Sequence, residues 1–185
     1  MADDMQGAVE AISVTPENIP SVPLDEVEVT WEGLVGDKHF GLTMKANRFQ
    51  GPYPKGTQVR NVRQISILSA EELAEIAQAM NVERVDPAWL GGNLMLSGIP
   101  NLTKLPAGSR MYFEGGVGIV IEGENMPCVT AGGCLADQYP EKPELKTAFP
   151  KKAIGKRGLV AWVEKPGVIR KGEKVTVRLA EDVGR

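Results

Sequence analysis

Gly158-Leu159-Val160-Ala161-Trp162-Val163, then Lys165-Pro166-Gly167, then Lys174-Val175-Thr176-Val177-Arg178-Leu179: near its end the chain reads as strands parted by tight turns. Val175, Val177 and Leu179 alternate with polar residues, the period of a strand that buries one face. The Lys165-Pro166-Gly167 step predicts a hairpin turn, because proline sets its own φ and glycine tolerates the curvature. The same texture runs backward through the chain. Strands are predicted over 7–14, 26–31, 64–68, 94–97, 110–114, 118–122, 158–163 and 174–179, with Val27, Val29 and Trp31 sharing one face. Gly115-Gly116 predicts a further hairpin. The 21 glycines and 13 prolines are spread over 185 residues rather than gathered in a linker, as expected of many short elements joined by turns.

Helices are few. Ser69 with Glu72 three residues on is a capping box, and Leu73, Ile76, Ala77 and Met80 follow at helical spacing, so a helix is predicted over 69–80. Asp86-Pro87 predicts a short helix that ends near Gly91-Gly92. Over 141–154, Pro143 and Pro150 limit any helix to a few turns. The fold class expected is therefore mainly β, a closed or partly closed barrel with a few short helices rather than a doubly wound sheet.

Composition narrows the function. Hydrophobic content of 42% and charged content of 24% are ordinary for a globular protein, and no apolar run is long enough to span a bilayer. The start, Met1-Ala2-Asp3-Asp4-Met5-Gln6, is acidic and lacks the pattern of a secretory signal, so a cytoplasmic location is expected, with both cysteines reduced. A net charge of −3 argues against nucleic acid as a partner. Neither a membrane nor a phosphate-binding glycine loop of the G-x-x-x-x-G-K type is indicated.

Chemistry concentrates in Asn125-Met126-Pro127-Cys128-Val129-Thr130-Ala131-Gly132-Gly133. Pro127 stiffens the approach to Cys128, and a turn at Gly132-Gly133 would aim N–H groups at an anion beside the sulfur and favour thiolate. The competing reading is a small buried hydrophobe before an ordinary turn. His39 is the one histidine; it sits two residues from Asp37 in the glycine-bracketed stretch 33–41, where the Asp could hold the imidazole tautomer. Arg63 precedes a strand and is placed at its mouth or on a solvated surface. Asn93 follows Gly91-Gly92, in a tight turn or as an amide reading a ligand edge. Lys151, Lys152, Lys156 and Arg157 form a basic cluster, either solvated surface or a receptor for a phosphate-bearing ligand. Two cysteines with five residues between them and one histidine make a poor zinc set.

Taken in order, these segments resemble the MOSC domain, a module found at the C-terminus of molybdenum cofactor sulfurases and as stand-alone bacterial proteins. The motifs are Gly36-Asp37-Lys38-His39-Phe40-Gly41, Arg63-Gln64-Ile65-Ser66-Ile67-Leu68, Leu90-Gly91-Gly92-Asn93-Leu94, Pro127-Cys128, and the stretch 158–163 followed by 167–173. The resemblance covers about residues 25–179, with 1–24 as a lead-in within the same fold and 180–185 as a tail. It implies a MOSC-type β-barrel, a molybdenum–molybdopterin cofactor, and Cys128 as metal ligand or sulfur carrier. Cys128, His39 and Asp37 are then the catalytic candidates; Arg63, Asn93, Gly132, Gly133, Lys156 and Arg157 are the cofactor-binding candidates. The expected activity is reduction of N-hydroxylated small molecules, with electrons from a partner protein. The alternatives are a sulfur carrier that takes a persulfide from a separate cysteine desulfurase, and a non-catalytic cofactor-binding module. Two positions depart from the family pattern: Gly92 stands where a glutamate is common, and Gly172-Glu173 replaces a Gly-Asp turn.

Overall fold

Alternating apolar residues become strands that close on themselves. In the computed structural model, which describes residues 4–46 and 51–180, the strands are β1 (Met5–Val14), β2 (Val22–Leu24), β3 (Glu26–Thr30), β4 (Gly33–Leu34), β5 (Thr43–Lys45), β6 (Gln58–Arg60) and β7 (Ile65–Ser69). They continue as β8 (Leu94–Ser97), β9 (Arg110–Phe113), β10 (Gly118–Glu124), β11 (Leu159–Lys165), β12 (Gly167–Arg170) and β13 (Lys174–Arg178). The helices are α1 (Ala70–Ala79), α2 (Val129–Gln138) and α3 (Leu145–Lys152). Strand order β13-β9-β10-β11-β7-β8-β1 returns to β13 through the β1–β13 ladder, which makes a closed barrel of seven strands. Closure removes the free edges that an open sheet would expose.

The pairings are antiparallel except for β7 with β8, and that parallel step needs a crossover. The crossover is α1 and a 3-10 turn at Pro87–Leu90. All five residues of β7 are buried because it has two covered faces. Ile65 and Ile67 join the barrel core, while Leu68 packs outward with Leu73, Ile76, Leu135 and Phe149 of the helices. Ser69 caps α1 by accepting from the Glu72 N–H at 3.2 Å. The Glu72 carboxylate does not close the box; it turns to Thr103, accepting from its N–H at 3.0 Å and its hydroxyl at 2.6 Å. No helix among the described residues is long and apolar enough to cross a membrane.

The eight predicted strands and both predicted helix starts are present, and three local expectations are corrected. Trp31 does not continue the face of Val27 and Val29: β3 stops at Thr30 and the indole is exposed. Lys165-Pro166-Gly167 is not a hairpin. Pro166 has no N–H to extend a ladder, so β11 ends there and β12 leaves to pair with β3 in a separate three-stranded sheet. Gly132 and Gly133 form no turn, since both lie inside α2. A Cβ on Gly132 would sit 2.4 Å from the Lys146 carbonyl oxygen, so the glycine serves close packing of α2 on α3.

Gly158 gives the sharpest packing test. Its φ is +91°, and an added Cβ would lie 1.9 Å from the Ile67 carbonyl oxygen. Gly158→Ala should cost about 3 kcal/mol or more in urea unfolding. Gly155→Ala, at φ +71° with nothing within 4 Å, should cost about 1 kcal/mol. Equal midpoints for the two variants would contradict this packing.

Candidate functional site

Ser66 and Val160 are register partners on β7 and β11, and both point away from the barrel core. With Asn93 they line a cleft of about 240 Å³ on the barrel's outer face. The loop after β1 supplies Thr15, Asn18 and Ile19, the loop before β5 supplies Lys38 and His39, and the start of α2 supplies Cys128 and Thr130. Among the described residues its charged lining is Lys38, Arg63 and Arg157 with the titratable His39, and no Asp or Glu lines it. In a chain of net charge −3 that concentration of cations gives the cleft a field of the sign that attracts an anion.

The wall containing His39 hangs on Asp37. Its carboxylate is buried and accepts from the Thr15 N–H, the His39 N–H, the His39 ring Nδ1 and the Asn93 amide, each at 2.8 Å. Burial alone would push this carboxyl up; those hydrogen bonds outweigh it and leave the group below its ordinary range. An ionised Asp37 fixes the imidazole with its proton on Nδ1 and leaves Nε2 for a ligand. Asn93 is fully engaged: its Oδ1 accepts from the Ser66 N–H at 2.9 Å, and its Nδ2 donates to Ser13 O at 3.1 Å as well as to Asp37. It lines the cleft as a brace between β7, β1 and the histidine loop.

Cys128 is the N-cap residue of α2 and is exposed, whereas Cys134 is buried within the helix. Burial, reinforced by Asp137, pushes the Cys134 thiol up. Beside Cys128 stands Arg157, 6% exposed. Its Nη2 donates to Leu90 O at 2.6 Å, while its Nη1 is buried with no partner among the described residues. Desolvation pushes this guanidinium down to about 10, with the Cys128 sulfur acting against the shift and Arg63 adding to it. Arg157 therefore stays charged at neutral pH with a donor unspent, a costly arrangement that an anion in the cleft would relieve. Arg63 donates to Asn125 Oδ1 at 3.1 Å, and the Asn125 amide donates to Ser66 Oγ at 3.1 Å.

The structure thus brings Cys128, His39, Arg63, Asn93 and Arg157 to one cleft, with Asp37 directly behind it. Lys156 lies elsewhere, ion-paired to Glu75 at 2.6 Å and lining a different pocket. Gly132 and Gly133 are not in the lining. At Gly92 an added Cβ would fall 2.2 Å from Leu68 Cδ1, so in this packing a side chain there meets the helical layer, not the cleft. Sequence reasoning missed Thr15, Asn18, Ser66 and Asn125 as lining residues; each is a single polar residue with no spacing signal. Among the described residues no group of three His, Cys, Asp or Glu is placed to hold a metal ion. A metal in this cleft would bring most of its ligands with it.

Two outcomes test this geometry. Iodoacetamide near neutral pH should modify Cys128 at least about tenfold faster than Cys134; equal rates by peptide mass mapping would contradict the placement. The folded Asp37 value lies below its ordinary value near 3.8. Its stabilisation is therefore present above that value and is lost as pH falls through the lower folded one. Asp37→Asn should cost about 1–3 kcal/mol at pH 7, with a shallower loss of stability than wild type below about pH 4. Parallel stability curves from pH 7 to 3 would contradict it.

The fold has counterparts. The MOSC domain family model matches residues 37–176. YuaD of Bacillus subtilis (strain 168), a protein provisionally named for metal-sulfur cluster biosynthesis, is 44% identical over 154 residues, which are 83% of this chain and 80% of YuaD. The crystal structure of Bacillus subtilis YuaD matches with a TM-score of 0.93 at 39% identity, over 98% of this chain and 100% of that one. YiiM from Escherichia coli and from Geobacillus stearothermophilus share the fold alone, with TM-scores of 0.56 and 0.62 at 18% and 17% identity, over 96% of this chain and 72% and 77% of theirs. With a match that runs from Asp37 through Cys128 into β13, this chain belongs to the MOSC domain family.

Proposed function

We propose that the chain binds a molybdopterin-type cofactor in the Cys128 cleft, with Cys128 as the protein's ligand to molybdenum, and acts as a reductase of N-hydroxylated small molecules. The observation that carries this reading is a lone exposed thiol in a cleft that, among the described residues, has three permanent cations and no carboxylate. A thiolate suits a thiophilic metal. The unpartnered Nη1 of Arg157, with Arg63 and Lys38, suits the anionic groups that such a cofactor carries. The bound group would supply the redox chemistry. The chain's residues bind and orient it, and His39, braced by Asp37, holds or delivers a proton at Nε2. Electrons must come from a partner protein, and the reading places the chain in the cytoplasm.

A second reading, transfer of a persulfide carried on Cys128, is favoured by the exposure of that thiol beside Arg157. It also agrees with the metal-sulfur name given to YuaD. Here the guanidinium would hold the persulfide anion, and a separate cysteine desulfurase would load it.

Protein purified from a cofactor-producing host separates the two. The first reading predicts molybdenum and pterin near one equivalent, lost in Cys128→Ser, because a hydroxyl is a poor ligand for a soft metal. A persulfide on Cys128 without metal would transfer the assignment to the second reading. Neither metal nor persulfide would contradict both.

A further inference from the structure

A second pocket, of about 420 Å³, shares Lys38, His39 and Arg63 with the cysteine cleft and is completed by Phe40, Thr43, Met44 and Asn61. Cys128 and Arg157 line the first chamber and not the second. The two pockets therefore adjoin at these three residues. The second pocket's volume falls within the ordinary range of small-molecule sites.

The polar groups of this second chamber are one-sided. The Asn61 amide is spent on its surroundings, donating to His39 O at 2.7 Å and to Gly41 O at 3.0 Å, while its Oδ1 accepts from the Arg63 N–H at 3.1 Å. Thr43 Oγ1 accepts from the Gln58 amide at 2.7 Å, which leaves its own hydroxyl proton to give. Lys38 and Arg63 are donors alone, and among the described residues no carboxylate lines the chamber. Apolar surface comes from the Phe40 ring, 40% exposed, and from Met44, whose thioether adapts to a flat partner.

We infer that this chamber seats the organic substrate: a small planar ring bearing an anionic or acceptor-rich group, packed against Phe40 and Met44 with its acceptors toward Lys38 and Arg63. The assignment as a substrate seat rests on the cofactor reading of the adjoining cleft. His39 then stands between the two chambers. Its Nδ1 is tied to Asp37, so Nε2 is the nitrogen that can exchange a proton with an occupant.

The test uses the cofactor-free full chain labelled with 13C-methyl methionine, the Met44 methyl signal being assigned through Met44→Leu. Benzoate, benzamide and benzamidine share a ring and differ in charge. Benzoate should shift the Met44 signal and bind about five- to tenfold more tightly than benzamide, with benzamidine weakest. Lys38→Gln should remove the advantage of benzoate, and Phe40→Ala should weaken all three several-fold. Equal affinities for the three probes, or no shift of Met44, would overturn the inference. Cys128→Ser protein should give the same benzoate response as wild type. A benzoate response in protein that never retains molybdenum would thus defeat the cofactor reading alone. Molybdenum retention without a Met44 response would defeat the chamber alone.

Discussion

The buried Asp37 carboxylate is the constraint on which the site depends. It joins the end of β1 through Thr15, the histidine loop through His39, and the start of β8 through Asn93, a residue 56 positions away. A carboxylate this buried is stable only when its oxygens are satisfied, so the four donors and the charge require one another. Asn93 passes the restraint on to β7 through the Ser66 N–H. The histidine is therefore held against the barrel wall by a network whose members lie on four sequence-distant segments.

Around that network the fold separates two tasks. The barrel core of Ile65, Ile67, Leu94, Leu96, Ile119 and their neighbours sets strand positions. The outer layer of α1, α2 and α3 packs on Leu68 and brings the start of α2 over the outer face of β7 and β11. Cys128 is at that helix start, so its exposure follows from the packing of Ala131, Leu135 and Phe149 beneath it. Gly132 permits the approach of α3, and Gly158 permits β11 to pass the Ile67 carbonyl. The cationic lining is then concentrated where strand ends and loops meet, and Arg157 stays charged inside it by virtue of its carbonyl and sulfur neighbours.

How much of this was legible depended on length of signal. Strands of four residues or more with apolar alternation were readable, as was the capped helix after Ser69. The strands β2, β4, β5 and β6 have two or three residues each, too few for a period to register. β12 was hidden because Pro166-Gly167 resembles a turn whether the chain folds back or departs to another sheet. Gly132-Gly133 carries the same ambiguity: paired glycines mark a turn or a close helix contact, and only the position of Lys146 decides. Cys128, His39 and Asp37 stood out by residue type and local bracketing. Lys156 differs from its neighbour Arg157 by its partner, Glu75 on α1, and no local pattern encodes that pairing. Asn125 and Ser66 escaped because their role is to brace Arg63 across 62 residues of sequence.

The central claim is that the Cys128 sulfur meets a metal-bearing anion in the cleft between Arg157 and His39. Anomalous diffraction on either side of the molybdenum edge, from crystals of protein purified with its cofactor, tests it most directly. The account predicts one molybdenum peak within bonding distance of the Cys128 Sγ. A stoichiometric molybdenum peak elsewhere on the molecule, with Cys128 unliganded, would contradict it.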